Sequence, residues 1–318
     1  MQDRFENYIL AQQLNNLTKK LNPSSGLQKK LADWICEEGQ SKLGIMIPEY
    51  DEDRPNSLKQ MKHLAEFASN GWGSDKKQIS SATWHDLKNL ISKSVKKFNT
   101  RTKSRLQKNV DALAQEVGFD DIETSILGIA IRVGSDDIYK NLCDSLFQDK
   151  KITVNRLIAS LLGVSLTEIS ARLKRSSPLA TTGLIKMKLD AWNSDFSDFL
   201  KLPDSIVSAV QPPNEGIGDI EEAIFGKPCN AELAWSDFEH LRDDRDFVAN
   251  LVRGAVRSKT KGINILLYGS PGTGKTEFCK TVASYLEFNM HAIGEVDDEG
   301  DEPDRKERIA AFVCLIIC

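Results

Sequence analysis

"INILLYGSPGTGKTEF" spans Ile263–Phe278 of a 318-residue chain. Its apolar first six residues read as a short strand, and its glycines read as a loop. "KTEFCKTVASYLE", from Lys275, reads as a helix, and "FNMHAI" (288–293) as a second strand. Strand, loop, helix, strand is the opening of a parallel α/β domain.

Gly269-Ser270-Pro271-Gly272-Thr273-Gly274-Lys275-Thr276 fits the pattern G-x-x-x-x-G-K-[ST]. Glycines let the backbone turn where a Cβ would clash, so consecutive N–H groups can point inward. With the N-terminus of the following helix, those N–H groups can surround a β-phosphate. Lys275 would set a cation at the β- and γ-oxygens, and Thr276 would offer its hydroxyl to Mg²⁺. These eight residues and Glu277 are the candidate contacts to ATP. Lys275 and Thr276 carry the phosphate and metal roles, and no general base is identified.

"LLYGSPGTGKT" resembles the start of an AAA ATPase domain, whose usual form is L-L-Y-G-P-P-G-T-G-K-T. Ser270 replaces the first proline, which alters loop stiffness and leaves the phosphate ligands in place. "LAWSDFEHL" (233–241) is similar to the segment that opens such domains near the adenine. The resemblance implies an adenine-side contact at Asp237 to His240. Trp235 and Phe238 can equally be read as an aromatic pair in a core. "SSPLATTGLIKM" (176–187) and the helical region around it are similar to the N-terminal part of certain bacterial AAA proteins.

The resemblance implies further parts: an Asp-Glu pair after a third apolar strand, a polar sensor, and arginines acting on a neighbour's ATP in a ring. None stands at a fitting position. The acidic run "EVDDEGDEPD" (295–304) comes too soon after Lys275 and lacks an apolar lead-in, so it reads as a solvated loop. It also misses Ca²⁺-loop spacing, because Lys306 stands where the twelfth-position glutamate belongs. "FVCLIIC" (312–318) suits the strand before an Asp-Glu pair. The expectation is therefore an AAA nucleotide-binding domain over 219–318, truncated by a frame change or an early boundary. Such a chain would bind ATP and fail to hydrolyse it; a full-length form would spend ATP on remodelling a protein partner.

Residues 1–201 read as a helical N-terminal region, and 202–218, with Pro203, Pro212 and Pro213, as a linker. "HDLKNLISKSVKKF" sets Leu87, Leu90, Ile91, Val95 and Phe98 on one helical face. Gly118 is an expected helix stop, and Ser135 an expected N-cap. "RDFVANLVRGAVRS" is amphipathic through Phe247, Val248, Leu251, Val252 and Val256.

Segment 151–176 resembles a helix-turn-helix. Ala159, Gly163 and Ile169 hold its spacing, and Ser165 and Glu168 make a capping box. Arg172 stands where an apolar residue is expected, with Leu173 as its substitute. Residues 76–108 hold ten Lys/Arg against Asp86 alone. That stripe admits an alternative, a DNA-binding or adaptor module using ATP as a switch. The bland alternative is a solvated helix face.

The net charge is −4, with the excess of acid in residues 201–318. Six scattered cysteines without a Cys-x-x-Cys pair point to a reducing cytoplasm. No apolar run approaches the ~20 residues a membrane span needs.

Overall fold

The computed structural model describes residues 3–20, 26–45, 81–148, 152–182, 184–185, 195–225, 227–258, 260 and 263–291. These fall into two compact units, Met1–Glu215 and Gly216–Cys318. The acidic run 295–304, the apolar run 309–318, Lys76 and Lys77 lie outside the described residues.

The first unit is helical. Its members are α1 (Arg4–Lys20), α2 (Gly26–Trp34), a π-turn (Ile35–Gly39) into α3 (Gln40–Leu43), α4 (Ser81–Phe98) and α5 (Arg105–Val117). There follow α6 (Asp121–Ser135), α7 (Asp137–Phe147), α8 (Val154–Leu162), α9 (Leu166–Arg172), α10 (Pro178–Thr181), α11 (Phe196–Phe199) and α12 (Asp204–Ala209). α6 is apolar nearly all round, and Ile126, Leu127, Ile129, Ala130, Ile131 and Val133 are buried. A helix with that composition belongs inside a bundle. α1 packs on α4 and α8, with Leu14 and Leu17 buried against the core that Leu87 and Ile91 supply from α4.

One ionic contact lies in this core. The Arg132 side chain is 7 % exposed, and its Nε donates to Glu6 at 2.7 Å. Its Nη2 donates to Glu6 at 3.1 Å and to Gln107 at 2.7 Å, and its Nη1 donates to the Gly128 carbonyl at 3.0 Å. The Ser104 hydroxyl also bonds Glu6. The charge is paired and its donors are used, which is what burial demands.

α6 begins on a capping box. Asp120 accepts N–H bonds from Ile122 and Glu123, and Glu123 accepts from the Asp120 N–H. Burial alone would push the Asp120 carboxyl up. The Glu123 and Ile122 N–H groups and the Arg172 guanidinium hold it below the ordinary value instead. Asp120→Ala should therefore lower stability by about 1 kcal/mol near pH 7. A carboxyl held low contributes above its unfolded pKa and loses the contribution as pH falls through the folded one. Urea melts at pH 7 and pH 3 should show the variant's deficit shrinking in acid.

Several sequence expectations change here. Ser135 closes α6, and Asp136 caps α7 by accepting from Ile138 and Tyr139. The stretch 202–218 holds α12, with Leu202, Ile206, Ala209 and Val210 buried; Pro203 sits just before the helix, where a missing N–H is harmless.

The second unit holds α13 (Ile217–Phe225), a 3₁₀ turn (Trp235–Leu241), α14 (Arg242–Ser258) and α15 (Lys275–Tyr285). The expected strands at 263–268 and 288–293 are not seen as strands in the described residues, and the α/β sheet is absent there. Ile265, Leu266 and Tyr268 are 42 %, 84 % and 90 % exposed. Apolar composition favours a strand only when a neighbour completes its ladder. No strand lies beside this one among the described residues.

Candidate functional site

The glycine loop has the backbone that its sequence demands. Gly269, Gly272 and Gly274 have φ of 151°, 77° and 77°, values that disfavour a side chain. A Cβ added at Gly272 or Gly274 would meet nothing within 4 Å. α15 starts directly from Gly274. The first backbone N–H of α15 to reach a carbonyl among the described residues is that of Phe278, which donates to Gly274 at 2.8 Å. Unpaired N–H groups at the start of a helix favour an anion.

Lys275 reaches back over the loop. Its Nζ donates to the Ser270 carbonyl at 2.7 Å, the Gly269 carbonyl at 3.2 Å and Thr273 Oγ1 at 3.4 Å. Thr273 Oγ1 donates to the Ser270 carbonyl at 2.9 Å. Lys275 thus folds a cation onto the loop that leads into α15. Thr276 and Pro271 are exposed, and no contact ties either side chain down among the described residues.

Glu277 faces another way. Its carboxylate accepts the N–H groups of Glu232 and, at 3.0 Å, Leu233. Those two N–H groups hold its pKa below the ordinary 4.5. Thr281 Oγ1 donates to the Leu233 carbonyl at 3.2 Å, and Phe238 packs edge-on to Phe278 with centroids 5.4 Å apart. Phe238, Phe278 and Val282 form a small core. The segment 232–241 is thereby fixed to the side of the helix whose N-terminus carries the loop.

Of the residues expected near adenine, Asp237 accepts the Ala234 N–H at 2.8 Å and Glu239 pairs with Arg245 at 3.1 Å. Phe238 is in the core, and His240 stacks beside it at 6.2 Å. Trp235 stacks on Tyr285 at 3.9 Å, and the Arg245 guanidinium lies 4.5 Å from the Trp235 ring. Arg245 is buried and donates to the Trp235 carbonyl at 2.8 Å. Sequence reasoning missed Arg245, Tyr285 and the Glu277 contact. Each depends on which distant residue it meets, and no local pattern encodes that. Cys279 is half-buried, and burial pushes its thiol up.

The rival segment has different chemistry. Gly163 turns between α8 and α9 with φ 76°, and the Ser165–Glu168 box forms. Ile169 and Leu173 are buried, while Arg172 bonds Asp120 at 2.8 Å. Several cations of the basic stretch are engaged within the unit. Lys97 donates to the Gly44 carbonyl, Lys103 pairs with Asp111 at 2.6 Å, and Arg105 with Glu215 at 3.4 Å. No helix of the described residues is long and apolar enough to cross a membrane.

Comparison with known proteins gives one finding. Residues 265–306 match the family model of the ATPase family associated with various cellular activities (AAA). The matched stretch contains the whole glycine loop and α15, and it supports nucleotide binding of the AAA kind. The segment 233–241 lies outside it. No curated protein and no solved structure matches the chain.

Proposed function

We propose that the loop Gly269–Thr276, braced by segment 232–241, is an ATP-phosphate site of the AAA type. The observation that carries this is the coincidence at one helix start of the N–H groups ahead of Phe278 and the Lys275 ammonium. The backbone N–H groups from Gly272 to Thr276 would hold the β-phosphate. Lys275 would exchange its bonds to the Gly269 and Ser270 carbonyls for phosphate oxygens. Thr276 would present its hydroxyl to Mg²⁺, which supplies charge neutralisation between the phosphates. Trp235, Phe238 and Glu277 position the helix rather than touch the nucleotide.

Among the described residues, Glu277, the acid beside the loop in sequence, is spent on the N–H groups of Glu232 and Leu233, and our reading is therefore of ATP–Mg²⁺ binding without turnover. A form carrying the Asp-Glu pair would hydrolyse ATP in a ring whose neighbours supply arginines. It would use the energy to remodel a protein client selected by the helical unit. The DNA-switch reading has less support, because several of its cations are engaged internally.

Phosphate release is the test. The chain at saturating ATP–Mg²⁺ should release phosphate no faster than buffer, while equilibrium dialysis shows bound nucleotide. Turnover at about 1–100 per second, lost in Lys275→Ala, would contradict the binding-only reading.

A further inference from the structure

A cavity of about 210 Å³ lies inside the first unit, where the start of α1 meets α3, α5, α6, α7 and the residues after α12. At about 30 Å³ per water, it has room for about seven non-hydrogen atoms. Part of its polar wall is already committed. Arg132 is held by Glu6, Gln107 and Gly128, and the Tyr139 hydroxyl donates to Gln13 at 2.7 Å.

Two amides on the wall are not committed. Asn7 is 5 % exposed, and its side chain makes no hydrogen bond among the described residues. Gln211 has a buried side-chain nitrogen without a partner. Buried amides are bonded as a rule, and leaving one bare is costly. A molecule seated in the cavity would explain both.

The charged groups say what kind of molecule. Asp3 accepts the Phe5 N–H at 2.8 Å through one oxygen, and it makes no ion pair among the described residues. Lys42 spends one N–H on Asp136, and an ammonium carries three. The wall therefore offers an unpaired carboxylate, spare ammonium N–H groups and two bare amides. A carboxylate needs donors, which Lys42 and the amides supply. An ammonium needs acceptors, which Asp3 and an amide oxygen supply. An α-amino acid carries both groups on one carbon, and one with a small side chain suits the room.

We propose that this cavity binds a free α-amino acid with a small side chain. No residue of the glycine loop takes part, so the site does not rest on the ATP reading.

Isothermal titration of L-alanine and L-serine into the full chain tests it. Each should bind one per chain and raise the melting temperature. Ethanolamine, with the ammonium alone, and propionate, with the carboxylate alone, should each bind about tenfold or more weakly, the loss of one charge-assisted contact. L-Tryptophan is too large and should not bind. Asp3→Asn keeps an oxygen for the Phe5 N–H, so the start of α1 survives, and binding should weaken about tenfold or more. Asn7→Leu should weaken binding as much, yet leave the ligand-free melting temperature level or higher, because an apolar group of like size replaces a bare amide. An Asn7 that served only the fold would lower that temperature. The absence of saturable heat with either amino acid at millimolar concentration would overturn the proposal, and a cavity holding only water gives that result. An equal response to ethanolamine or tryptophan, or binding untouched by both variants, would overturn it too.

Discussion

Lys275→Ala should weaken ATP binding by about 10- to 150-fold while leaving the fold intact. The estimate follows from losing one charge-assisted contact, worth about 1.5–3 kcal/mol, with about 1.4 kcal/mol per factor of ten. Among the described residues the side chain bonds its own loop alone, at Gly269, Ser270 and Thr273. Its removal therefore takes nothing from the Phe238–Phe278 core, and the melting temperature should hold. Thermal melts with and without ATP–Mg²⁺ check both halves: the ligand-induced rise should fall away, and the ligand-free value should not move. Lys275→Arg keeps the charge and should lose less.

Arg132→Met should destabilise the first unit by about 3–5 kcal/mol. The substitution leaves the Glu6 carboxylate with Ser104 but without its cation, and it frees the Gln107 acceptor. For a unit of this size each kcal/mol shifts the melting temperature by about 2–4 °C, so a loss on the order of 10 °C is expected. Glu6→Leu combined with Arg132→Met should recover most of it, because the cost lies in the stranded charge. Chemical denaturation of the three variants gives that comparison. A single variant as stable as the parent would show that Arg132 is not held by this contact.

Local rules could be read from the residues where the chain uses only local chemistry. Gly118 and Gly163 end helices at φ 77° and 76°, and Ser165 closes a box with Glu168, all visible as short patterns. Ser135 and Asp136 are both competent caps, and the choice fell to the residue whose carboxylate reaches two N–H groups. Arg132 gave no sign, because a buried arginine looks like any other until Glu6 arrives from 126 residues away. The run 263–268 misled for a related reason. Its composition suits a buried strand, yet strand formation is a property of neighbours, and no described strand pairs with it.

The loop itself was the most legible part, since its glycines, lysine and helix start depend on one short segment. Its brace was the least legible. Glu277 lies within the segment that carries the motif, yet its carboxylate serves the backbone of Glu232 and Leu233, 45 and 44 residues upstream.

Isothermal titration of ATP–Mg²⁺, ADP and AMP into the full chain tests the phosphate site most directly. Contacts to the β- and γ-phosphates require ATP and ADP to bind one per chain and AMP to bind far more weakly, with ATP affinity lowered about 10- to 150-fold in Lys275→Ala. Equal binding of AMP and ATP, or ATP binding that survives Lys275→Ala unchanged, would contradict the account.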